Sequence, residues 1–230
     1  MNLKKLPKSL ITLLIFFFSA LFQLIPIILF NYDANNLTAN QKFVLTTFAD
    51  IVIFIILFFM YYKDLKNDFK NLKGNLNKNM EFGFKCWLIG LVVMVTSNII
   101  INLFIRQANA GNEQTVQELI KANGFISIIT IGIIGPFVEE IVFRKAFRDV
   151  FKNAWLFIII SGVVFGGLHV ILSLSSIWDL FYLIPYCSLG IAFGIMYVKT
   201  DNIYTSMLMH IFHNTVFTTI SVIGAGVILW

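Results

Sequence analysis

Seven stretches of about 20 predominantly apolar residues follow one another along the chain, at roughly 9–30, 43–62, 84–105, 125–143, 154–172, 179–198 and 203–229. Twenty residues of α-helix rise about 30 Å, the thickness of a bilayer's hydrocarbon core. Backbone polar groups inside that core must be satisfied within the segment itself, which makes runs of this length helices. The pattern predicts an all-α polytopic membrane helix bundle of about seven transmembrane helices. Composition points the same way. Of 230 residues, 58% are hydrophobic and 13% charged, whereas a soluble domain is about one-half apolar and one-quarter charged. A soluble globular protein, a disordered chain and a disulfide scaffold are excluded. Cys86 and Cys187 sit in or beside apolar runs and read as small buried hydrophobes.

The net charge of +5 is spread as membrane topology demands, and no nucleic-acid partner is expected. With the N-terminus cytoplasmic, segments 1–8, 63–85, 144–152 and Lys199 place 14 cations inside, against Lys42, Arg106 and Lys121 outside. Cytoplasmic loops carry the excess of Lys and Arg, so this asymmetry sets the orientation. Seven crossings then leave the C-terminus outside. The first run follows Lys4, Lys5 and Lys8 as a signal peptide would. It is longer than a signal h-region and lacks a small-x-small cleavage site, so it is expected to remain as the first helix. Segment 63–85 reads as a solvated cytoplasmic linker. Segment 106–124, with Glu113 and Glu118, reads as a short polar stretch. The pairs Gly162/Gly166 and Gly190/Gly194 form GxxxG, which lets helix backbones approach closely.

Ionisable residues inside a membrane usually mark function. Here, apart from Asp50 near an outer end, they gather in the second half: Glu139 and Glu140 in GPFVEEIVFR, His169 in FGGLH, and His210 and His213, with the polar Asn214, in MLMHIFHN. With a turn near Asn153–Ala154, Glu139 and His169 lie equally far from it and can face each other across a hairpin. His210 falls about 10 Å into the last helix, so these groups can meet near one depth, in a cavity expected to face the cytoplasm. SLSSIWD (173–179) is a candidate broken or re-entrant segment, which would raise the helix count to eight. Glu140 and Arg144 have the favoured i, i+4 ion-pair order, while Glu139 has no such local partner. A Glu139–His169 pair suits a base, and His210 with Asn214, sharing a face, suits an oxyanion site. Asn98 and Asn102, four apart, are expected to bond across helices.

EEIVFR reads as EExxxR, FGGLH as FxxxH and HIFHN as HxxxN, in that order on successive segments. Together they resemble the CAAX protease and bacteriocin-processing family, also called Abi, of intramembrane proteases. The resemblance covers about 125–215. It implies a catalytic core at 125–230 preceded by variable transmembrane helices at 1–124. It also implies an intramembrane endopeptidase acting on a hydrophobic or membrane-bound peptide, in bacteriocin self-immunity or peptide maturation. Carried over, Glu139 activates water with His169, and His210 and Asn214 hold the tetrahedral oxyanion. Glu140 and Arg144 support the site and Phe165 lines it. His213 lies outside the pattern, close enough to compete with His210.

Two His and one Glu are also a zinc ligand set, so Glu139, His169 and His210 form the candidate metal site. HExxH is absent, and a Glu–His pair with two oxyanion donors needs no ion, so a metal-free mechanism is the expectation. A non-catalytic immunity or binding protein, and a CAAX-type prenyl-protein protease, are the alternatives. A transporter with a proton relay would call for an inverted repeat, which the chain lacks.

Overall fold

The computed structural model describes residues 6–105, 111–172, 174 and 176–224. Lys4, Lys5, Arg106, Ser173, Ser175 and the C-terminal end fall outside them. Among the described residues the chain is helical and has no strand. Helices α1 (Leu6–Phe17) and α2 (Leu24–Leu29) are joined by a 3₁₀ turn and bent by 52°. They are followed by α3 (Ala39–Ile105), α4 (Gly111–Ile129), α5 (Gly135–Glu140), α6 (Phe147–Val150), α7 (Ala154–Ile171), α8 (Leu183–Thr200) and α9 (Ile203–Gly224). Five described helical stretches are long and apolar enough to cross a bilayer, six if the bent pair counts as one span. Exposed side chains such as Phe18, Phe59, Phe104 and Leu172 coat the outside, as a surface solvated by lipid requires.

The 63–85 segment is helical, which corrects the expectation of a loop. Its lysines and asparagines lie on two arms of α3 that meet where the backbone leaves helical geometry, at Asn75 (φ −131°, ψ 16°). The arms double back on each other. Asp68 accepts from the Ile203 amide and its carbonyl takes a bond from Asn202, at the start of α9. On the other arm, Gly83 lies against Thr205 and Met209 of the same helix. In a straight helix residues 68 and 83 would stand about 22 Å apart. The apolar runs 43–62 and 84–105 thus occupy opposite arms of a hairpin.

Helices α7 and α8 pack most tightly, through the two GxxxG pairs. A Cβ on Gly162 would stand 2.9 Å from the Ile191 amide nitrogen, and one on Gly166 would stand 2.7 Å from that of Cys187. One on Gly190 would meet the Gly162 carbonyl at 2.9 Å. Only hydrogen fits at such distances, so the small residues set the helix separation. The lysine-rich end of the bundle is tied shut by polar contacts. Lys8 pairs with Asp64 at 2.6 Å, Lys145 with Asp68 at 2.5 Å, and Ser9 donates to Asp149 at 3.0 Å. At that end Asn153 caps α7 by accepting from the Leu156 amide, which places the turn where the sequence put it.

Candidate active site

The glutamates sit on a short α-helical piece between two π-helical ones, Thr130–Ile134 and Ile141–Ala146. The first has a traceable cause and consequence. Pro136 has no N–H to offer the Gly132 carbonyl, its usual i−4 partner. The Gly135 amide bonds Thr130 O, five residues back, which releases the Ile131 carbonyl as well. Free carbonyls at membrane depth need partners, and α9 supplies both. Asn214 Nδ2 donates to Ile131 O and Thr215 Oγ1 to Gly132 O, each at 3.2 Å. Short π segments inside helices are frequent at functional sites.

Glu140 and Arg144 are fully buried. Arg144 Nε donates to Glu140 Oε2 at 3.2 Å and Nη1 to Ser161 Oγ at 3.2 Å, joining this helix to α7. The other oxygen, Glu140 Oε1, lies 3.1 Å from His210 Nδ1. A carboxylate paired to Arg144 accepts, so Nδ1 is the donor in this contact, and Nε2 faces Glu139. His210 is itself 3% exposed and stacks on Phe193 with ring centres 4.5 Å apart.

Glu139 points the other way, into a cavity. His210 Nε2 stands 3.5 Å from its Oε2, and His169 Nε2 stands 4.0 Å from its Oε1. His169 Nδ1 is held by the Phe165 carbonyl at 2.8 Å, and its ring stacks on Tyr186. Glu139 Oε2 is buried without a hydrogen-bond partner. The three sequence-predicted groups therefore converge from three helices, with His210 closer to Glu139 than His169 is.

Asn214 and Phe165 also line this cavity, which measures about 630 Å³. So does His213, but its Nδ1 accepts from Trp87 Nε1 at 3.3 Å. It is thereby fixed to the second arm of α3 and kept apart from the pairing made by His210. Asn102 accepts from Tyr182 Oη at 3.4 Å, a bond between helical segments as expected.

The cavity differs from expectation in its direction. Instead of facing the lysine-rich end, it runs from Glu139 to Asn102, Glu113 and Ser221, near the opposite ends of α3, α4 and α9. The lysine-rich side is filled by the buried Glu140–Arg144–Ser161 contacts and the ion pairs beyond them. Sequence reading also missed two contributors. Residues 111–122, taken for a polar stretch, form the first part of α4, before a break at Asn123. From it Glu113, Val116 and Ile120 reach the cavity, as does Asp50 from α3. Their signal was the apolar spacing of Val116 and Ile120 within an otherwise polar segment.

The zinc donor set does not close into a cage. Tetrahedral zinc with bonds of about 2.0–2.1 Å brings its donors to within ~3.3 Å of one another. Here the imidazoles approach different oxygens of Glu139, the longer approach at 4.0 Å. No group of three His, Cys, Asp or Glu among the described residues is arranged to hold a metal ion.

Residues 121–216 match the family model described as "Type II CAAX prenyl endopeptidase Rce1-like". The chain is 26% identical over 217 residues to "Putative membrane peptidase YdiL" of Bacillus subtilis, covering 89% of this chain and 84% of that one. It is 26% identical over 148 residues to "UPF0177 protein YbdI" of Lactococcus lactis, covering 60% of this chain and 77% of that one. No solved structure matches.

Proposed function

Taking the chain as one of the CAAX protease family, on the strength of residues 121–216, we propose that it is an intramembrane endopeptidase that hydrolyses a hydrophobic or membrane-bound peptide by glutamate-activated water. One observation carries the reading. Glu139, His169 and His210 converge on the wall of a cavity, and Glu139 Oε2 is buried there with no hydrogen bond of its own. A buried carboxylate oxygen beside two imidazole nitrogens is where a water molecule gains three polar neighbours.

In the mechanism, Glu139 takes a proton from that water as its oxygen bonds to the scissile carbonyl carbon, and His169 orients the water. The tetrahedral oxyanion is met by His210, whose Nδ1 is held by Glu140. The second N–H of Asn214 joins it, the first being used by Ile131 O. Donors held in place before charge develops are the larger part of such catalysis. The C–N bond then breaks, and Glu139 returns its proton to the leaving amine. Glu140 and Arg144 hold His210 and touch no substrate. No step requires a metal. The lysine-rich end is the cytoplasmic one, and the setting is peptide maturation or bacteriocin self-immunity.

The test compares peptide termini in membranes from cells expressing the wild type and Glu139→Gln at matched levels. Termini present with the wild type and lost with the variant support proteolysis. Identical termini, with both proteins inserted and folded, argue for a protein that acts by binding. Activity in purified protein that vanishes on dialysis against a zinc chelator and returns with zinc would overturn the metal-free mechanism alone.

A further inference from the structure

We infer that the catalytic cavity is entered from the face opposite the lysine-rich end, so that the substrate is a peptide presented on the extracytoplasmic side. The inference rests on the endopeptidase reading for what happens to that peptide, and on two independent features of the molecule for where it comes from.

The first is charge. Lys8, the lysines of 63–85, Arg144, Lys145, Arg148, Lys152 and Lys199 lie at one end of the bundle, joined there by the Lys8–Asp64, Lys145–Asp68 and Asp68–Ile203 contacts. Among the described residues only Lys42 and Lys121 lie at the other. An excess of this size holds the lysine-rich end in the cytoplasm.

The second is the shape of the cavity. At its inner end the lining stops at Glu139 and His210, the latter about 10 Å from the lysine-rich start of α9. Between them and the cytoplasm stand Glu140 and Arg144, both 0% exposed. At its other end the lining includes Asn102 and Ser221, each three residues from the end of its described helix, and Glu113. Polar side chains at helix ends make a wet mouth, and buried ion pairs make a floor.

The lining chemistry narrows the substrate further. Among the described residues, Asp50, Glu113 and Glu139 are the carboxylates of the wall, and no Lys or Arg joins them. A neutral or cationic peptide segment suits such a wall. A free C-terminal carboxylate meets like charge there, and a prenylated protein held in the cytoplasm meets the closed floor.

Single cysteines test the inference in a background where Cys86 and Cys187 are replaced by Ser and Ala. Asn35→Cys lies in the exposed connection before α3, Lys73→Cys near the tip of the α3 hairpin, and Ser221→Cys in the cavity mouth. Intact cells are treated with a membrane-impermeant maleimide and the mass shift is read, with and without permeabilisation. The expected result is full labelling of Asn35→Cys and Ser221→Cys in intact cells, with Lys73→Cys labelled only after permeabilisation. The reverse pattern for Asn35 and Lys73 overturns the inference. So does labelling at Asn35 without labelling at Ser221, which would mean the cavity is shut on that face. Labelling does not depend on catalysis and should be the same with Glu139→Gln added, so its failure is separable from failure of the endopeptidase reading.

Discussion

Glu139 and Glu140 are chain neighbours, yet they belong to two different regions. The lysine-rich side of Glu140 is packed and closed, with its carboxylate bonded to Arg144 and His210, and Arg144 Nη2 is the buried polar atom there that has no partner. The side that Glu139 faces is polar and hollow, with one carboxylate oxygen left unbonded. One region spends its charges on holding helices together, and the other leaves them available for chemistry. Which role a membrane carboxylate takes is thus decided by what packs on its face of the helix, and a step of about 100° is enough to change it.

The contrast can be broken in order of expected effect. Glu139→Gln should remove 10²- to 10⁴-fold of proteolytic rate, on the order of what a positioned general base supplies, while thermal unfolding in detergent stays close to wild type. An equal loss of stability would merge the two regions into one. Arg144→Met should act the opposite way. It strands a buried carboxylate, at a cost of about 3–5 kcal/mol, seen as a lower Tm and less folded protein in membranes. Next, Gly166→Val should cost about 1–3 kcal/mol by overpacking α7 against α8, since Cys187 already touches that position. Gly74→Ala, with nothing within 4 Å of its added carbon, should change the same unfolding curve little. The smallest of the losses is Asn102→Leu, set against that Gly74→Ala control: it removes one long bond to Tyr182, about 0.6 kcal/mol for an average interhelical hydrogen bond.

The motif residues were legible because ionisable groups are rare in apolar runs and stand out singly. Glu140 with Arg144 followed from i, i+4 spacing, and the α7–α8 contact followed from the two GxxxG pairs. The direction of the cavity did not follow. Counting residues gives depth, but which side of a given depth is hollow depends on how fully side chains from distant segments fill it. The hairpin at Asn75 was hidden for a related reason: lysines and asparagines look alike in a loop and on a helix that projects into water. Residues 111–122 were hidden because a helix that closes over a wet mouth is polar on most of its surface. The π segments escaped because a period of 3.6 was assumed throughout.

Those π segments carry a consequence in the arithmetic of the chain. A π turn takes up about one residue more than an α turn over the same stretch of helix. Between Thr130 and Glu140 the chain therefore contains an insertion absorbed without lengthening the span. Deleting one residue from 130–134 would leave every motif intact in the sequence and would remove the extra residue, with Pro136 still lacking its N–H. It would also turn Glu139 by about 100° relative to the preceding turns, away from both imidazoles. The placement of Glu139 beside the two imidazoles is written in a residue count as much as in residue identity, so a relative that keeps EExxxR but loses that extra residue has kept the letters and lost the alignment.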